Sequence, residues 1–103
     1  MFESTFTLTN TGEEPIDILF EPYGMPFRVP PGATFEVVAR GEIEGEIEVE
    51  RRAEGLILFG WPTSTAKVII DGVLILDYDM PVPGVPEGAS VRSFLGLLFD
   101  RDR

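Results

Sequence analysis

Three groups of side chains in this sequence are of types, and at spacings, that could do chemistry. The first is a row of acids at alternate positions, Glu44, Glu46, Glu48 and Glu50, with Glu42 ahead of it and Arg51 and Arg52 directly behind. Same-face residues of a strand stand about 6.5–7 Å apart, so an extended chain would draw these carboxylates into one acidic face. Such a face suits a cation, a basic protein surface for which it would act as a decoy, or imitation of a phosphate backbone. It suits equally a solvated strand that resists pairing with other molecules. Calcium takes about six to eight oxygens converging from several directions, and a straight row does not converge.

The second group is Asp77 and Asp79. Paired carboxylates do general acid–base work and glycoside hydrolysis at separations of about 5–9.5 Å. Any i, i+2 pair on a strand falls in that range, so solvation of a strand end is the expected role. A carboxylate-based metal or small-ligand domain, conceivably a hydrolase, is the alternative. The third group is aromatic. Tyr23 and Met25 lie in the proline-flanked loop 21–27, and Trp61 lies at the Gly60-Trp61-Pro62 corner. Rigid side chains on stiff loops lose little entropy on binding, which makes these three candidate partner contacts. A loop that packs its aromatics onto its own core would read the same way.

What is absent excludes more. The 103 residues contain no cysteine and no histidine. Disulfides, thiolate zinc sites, Cys nucleophiles, Ser-His-Asp triads and histidine acid–base catalysis are therefore excluded within one chain. Thr63, Ser64 and Thr65 lack a G-x-S-x-G context, and beside them stand only carboxylates and Lys67 as bases. Neither G-x-x-x-x-G-K-[ST] nor G-x-G-x-x-G occurs. Eight Lys and Arg stand against eighteen Asp and Glu, a formal charge of −10, so no direct nucleic-acid binding is expected. The first residues carry no basic, apolar signal pattern, and every apolar run falls far short of the ~20 residues a membrane helix needs. The expectation is a cytoplasmic, non-enzymatic structural or protein-interaction module with no cofactor, no bound metal and no membrane.

The elements that must position these residues follow from period-two patterning. Phe2, Phe6 and Leu8 share a face with Ser4. Ile16, Ile18 and Phe20 alternate against Asp17 and Glu21, with Leu19 the exception, and Phe35, Val37 and Ala39 form another inward set. The most regular alternation covers 43–50, where Ile43, Gly45, Ile47 and Val49 oppose the glutamates. Residues 56–59 are continuously apolar, as in a strand buried on both faces. Asp71-Gly72 between the apolar runs 68–70 and 73–76 is the preferred chemistry of a type I′ hairpin. Seven to eight short strands separated by turn signals predict an all-β chain, a small antiparallel β-sandwich in one domain spanning 1–103, with a small barrel as the alternative closure.

The C-terminal part differs. Residues 80–89, rich in Pro and Gly, read as an extended connector. Beyond it Val91, Phe94, Leu95, Leu98 and Phe99 fit one helical stripe, which predicts a short helix at about 90–100 capped near Ser90. A final strand with Ser93, Leu95, Leu97 and Phe99 on one face is the competing pattern. Five large hydrophobes within 94–99 exceed what one small core can take from a single helix. Phe94, Leu97, Leu98 and Phe99 are therefore a candidate association surface, for a homodimer or another protein partner, unless they cover part of the same chain.

The segments Asn10-Thr11-Gly12-Glu13-Glu14-Pro15, Glu21-Pro22-Tyr23-Gly24 and Pro30-Pro31-Gly32 together resemble small uncharacterised bacterial all-β proteins with an N-T-G-x-x-P … E-P-[WY]-G … P-P-G layout. The resemblance covers about the first third of the chain. It implies a similar small sandwich and carries no activity or functional residue with it.

Overall fold

The computed structural model describes residues 1–82, and the expected helix at 90–100 with Phe94, Leu97, Leu98 and Phe99 lies outside them. The described residues form eight strands: β1 (Phe2–Thr9), β2 (Ile16–Glu21), β3 (Met25–Val29), β4 (Thr34–Gly41), β5 (Glu48–Arg52), β6 (Gly55–Phe59), β7 (Thr65–Ile70) and β8 (Val73–Tyr78). They form two four-stranded sheets, ordered β1-β4-β7-β8 and β3-β2-β6-β5. The all-β sandwich expected from the period-two patterning is the fold. Every strand pair is antiparallel but one: β2 and β6 run parallel, Ile18 beside Leu56 and Phe20 beside Leu58.

Alternation decides which side chains fill the space between the sheets. Ile18, Phe20, Val29, Phe35, Val37, Leu58 and Val68 are almost completely withdrawn from solvent and form one cluster. Burial of each contributes roughly 1.5–3 kcal/mol, so this cluster dominates the favourable side of folding. In the first sheet Glu36, Val38, Arg40 and Lys67 point the other way and stay half-buried or exposed.

The Asp71-Gly72 hairpin forms as expected, with φ of 51° and 80° at its two central residues, the left-handed pair that a type I′ turn requires. A bulge follows it. Val68 pairs with Leu76 and Ile69 with Leu74, so Ile75 has no partner on β7.

The regular segment 43–50 is not one strand. Strand pairing begins only at Glu48, and residues 42–47 carry the chain from the first sheet to the second. Their backbone groups are used elsewhere. The Trp61 indole N–H donates to the Ile43 carbonyl at 3.0 Å, and the Ile47 N–H donates to the Ser4 hydroxyl at 3.1 Å. Gly41 and Gly45 lie against the indole so closely that a Cβ on Gly45 would stand 2.2 Å from Trp61 Cγ. The inward glycine of the alternating pattern is thus a seat for the only tryptophan, and an inward serine on β1 ties down the crossover.

Candidate functional site

The four-glutamate row is divided by this crossover. Glu44 and Glu46 stand exposed on the connection, whereas Glu48 and Glu50 lie in β5. Glu48 is opposite Phe59 and Glu50 opposite Ile57, so both face away from the core on the outer side of the second sheet. Glu50 pairs with Arg52 two residues on. Among the described residues no three Asp or Glu side chains converge as a metal site would require.

Asp77 faces outward on β8 beside Lys67, and Asp79 lies just past the strand. Both are exposed. Asp77 borders a small depression of about 130 Å³ with Val38, Arg40, Thr65, Ala66 and Lys67.

The aromatic candidates are drawn into the protein's own packing. Tyr23 stacks flat on Tyr78, with ring centroids 4.2 Å apart and planes 4° from parallel, and both rings meet Phe20 edge-on. The Tyr23 hydroxyl donates to the Met80 carbonyl at 3.1 Å. Burial, and secondarily the neighbouring Tyr78, pushes the Tyr23 phenol up to about 12; burial also raises that of Tyr78. Met25 is half-buried against the main cluster, and Trp61 is buried on Gly41 and Gly45. Sequence alone left packing and partner contact open for these residues; here packing occupies most of each side chain. Ser64 is accounted for too. Its hydroxyl donates to the Trp61 carbonyl at 2.6 Å and accepts from the Trp61 N–H at 3.1 Å, closing the corner.

The most conspicuous surface feature is one that sequence reasoning took for an ordinary hairpin arm. Val73, Leu74 and Ile75 are 61%, 53% and 46% exposed in succession. Two causes combine. β8 has β7 as its single described sheet neighbour, and the bulge at Ile75 breaks the alternation that would turn every second side chain inward. The legible signal was the run Val73-Leu74-Ile75-Leu76 without an interleaved polar residue, a pattern that a central strand has reason to carry and an edge strand does not. Acids flank the run: Asp71 before it, Asp77 and Asp79 after it.

These features define a small two-sheet β-sandwich with an apolar, acid-flanked edge. No protein-family model, curated protein or solved structure matches the chain. Among the described residues no helix is long and apolar enough to cross a membrane.

Proposed function

We propose that this protein is a non-enzymatic protein-interaction module that receives an extended segment of a partner protein along the edge of β8, which has no strand neighbour there among the described residues. The observation that carries the proposal is the succession Val73, Leu74 and Ile75 in solvent on an edge strand. An edge offers unpaired N–H and C=O groups to an incoming strand, and alternate side chains supply specificity.

The flanking acids select the partner. In a two-fold antiparallel pairing of β8 with itself, centring on Leu74 sets Asp71 opposite Asp77 of the second copy. Centring on Ile75 sets Asp71 opposite Asp79. Like charges directly opposite one another destabilise a sheet. A partner segment with an apolar middle and Lys or Arg at both ends satisfies the apolar run and the acids together, and the formal charge of −10 would speed its approach.

The test uses a short synthetic peptide of alternating Val and Thr with Lys at each end, and a twin ended by Glu. The Lys-ended peptide should shift the amide resonances of Val73, Leu74, Ile75 and Leu76, weaken steeply with salt, and lose binding to the Leu74→Lys variant. Equal binding of both peptides, or shifts confined to other strands, would refute the assignment. A concentration-dependent dimer that Leu74→Lys dissolves would replace it with self-pairing.

A further inference from the structure

The interior of the sandwich is shut in its middle and opens on the side of β1 and β5, each the last strand of its sheet among the described residues. On β4, Phe35 and Val37 are fully buried. Directly opposite them on β1, Leu8 and Phe6 face the same way and are only half-buried. The second sheet repeats the contrast. Leu58 of β6 is fully buried, while its partner Val49 on β5 is 38% exposed. The crossover closes one end of this side, where Ile47 is buried and bonded to Ser4. Beyond it lies a cleft of about 490 Å³, within the roughly 300–1,000 Å³ of small-molecule sites.

The walls of the cleft are the margin of the core. Phe6, Leu8, Ile16 and Leu56 pack against the main cluster from this side, and Val49 joins them from β5. Apolar surface left in water is unfavourable, so an apolar ligand gains by covering it. The polar part of the cleft has a direction. Arg51 follows Val49 on the inward side of β5, opposite Leu56, where alternation calls for another apolar residue. It is exposed and lines the cleft. Arg28, Arg40 and Arg52 each pair with a carboxylate, whereas the Arg51 guanidinium has no ion-pair partner among the described residues. In a chain of eighteen acids and eight bases, a cation so placed is the exception. The Glu54 carboxylate also lies on the rim and would oppose an anion there.

We infer that the cleft between β1 and β5 binds a small carboxylate with an apolar tail. The tail lies along Phe6, Leu8, Ile16, Val49 and Leu56, and the head group pairs with Arg51. A guanidinium and a carboxylate match as a two-point fork, which fixes the orientation, and burial of the tail supplies the larger share of the affinity. β1 and β8 are the two ends of the first sheet, so this site is separate from the strand-receiving edge and independent of it.

The test is an NMR titration of the full-length protein near neutral pH with hexanoate and octanoate, and with n-hexanol and n-octanol as uncharged twins. Octanoate should shift the amide resonances of Phe6, Leu8, Val49, Arg51 and Leu56. It should bind about sixteenfold tighter than hexanoate, since each buried methylene tightens binding about fourfold. n-Octanol should bind more weakly than octanoate. Arg51→Gln should weaken octanoate about threefold to fivefold and leave n-octanol unchanged, while Glu54→Gln should tighten octanoate alone. Both side chains are exposed, so neither variant should lose the fold, and Arg40→Gln on the outward face of the first sheet should change neither affinity. Equal binding of octanoate and n-octanol, or no dependence on chain length, would overturn the inference. Shifts confined to Asp17, Leu19 and Ile57, which line a separate groove of about 590 Å³ on the second sheet, would overturn it too. So would a concentration-dependent dimer that Val49→Glu dissolves, because a second copy would then fill the cleft.

Discussion

At the scale of single residues, Asn10 shows how one polar side chain can order two turns. It is almost fully buried, and its amide is completely used. The NH₂ group donates to the Glu14 carbonyl at 2.8 Å and the Val29 carbonyl at 3.0 Å, while the side-chain oxygen accepts from the Gly12 N–H at 3.0 Å. Its backbone also exchanges two hydrogen bonds with the β3–β4 turn. Asn10→Ala strands the buried Val29 carbonyl and should cost about 1–3 kcal/mol, read as a lower urea midpoint with an unchanged slope. Tyr23 makes a prediction of the other kind. Its phenol is raised from 10.0 to about 12, so the folded state favours the neutral form. The stability this confers is complete below pH 10 and is lost as pH rises through 12. The melting temperature should fall over that interval, and more steeply in the parent than in Tyr23→Phe, with tyrosinate absorbance following the same rise.

Among the elements, the crossover between β4 and β5 has the clearest mutational signature. Gly45→Ala would force the indole of Trp61 out of its seat and break its bond to the Ile43 carbonyl. Overpacking of this kind costs about 1–3 kcal/mol. As Trp61 is the only tryptophan, a red shift of the native fluorescence should accompany the loss. Gly55→Ala should be worse. The added Cβ would lie 1.9 Å from the Asp17 carbonyl oxygen, where the parallel strands β2 and β6 meet, and backbone gives way less readily than an indole. A Gly55→Ala protein no less stable than Gly45→Ala would contradict the observed register. These two glycines also show where sequence reading stops. Alternation correctly separated Ile47 from the exposed Glu46, but it extended the strand back through 43–47. A period-two pattern cannot report that Trp61, sixteen residues beyond Gly45, needs the space a side chain would take.

At the scale of the entire chain, charge and layering dominate. Eighteen acids against eight bases give −10, and the exposed Glu42, Glu44 and Glu46 follow one another along the crossover. The pairs Arg28–Asp17 and Arg40–Glu3 are exposed, and pairs of that kind contribute little. Repulsion should therefore outweigh attraction. Raising sodium chloride from 0.01 M to 0.15 M shortens the screening length from about 30 Å to about 8 Å, and the melting temperature should rise with it. A fall would mean that the ion pairs carry more of the stability than their exposure allows.

Fold class was legible because it rests on local signals: period-two alternation, Asp71-Gly72 at the hairpin, and prolines and glycines between strands. Those signals fix φ, ψ and the face on which a side chain falls, and they need no knowledge of the partner strand. The same local logic left Tyr23 and Trp61 open between packing and partner contact, since an aromatic on a loop is alike in both cases until its neighbours are known. Tertiary structure decided that Tyr23 stacks on a tyrosine fifty-five residues away and that Trp61 sits on Gly41 at the end of β4 and Gly45 of the crossover. It also decided that the glutamate row is shared between a connection and strand β5. Above all, among the described residues, it made β8 an edge. The run Val73-Leu74-Ile75-Leu76 suits a strand buried between neighbours, and only the strand order among the described residues, a property of long-range pairing, accounts for its exposure.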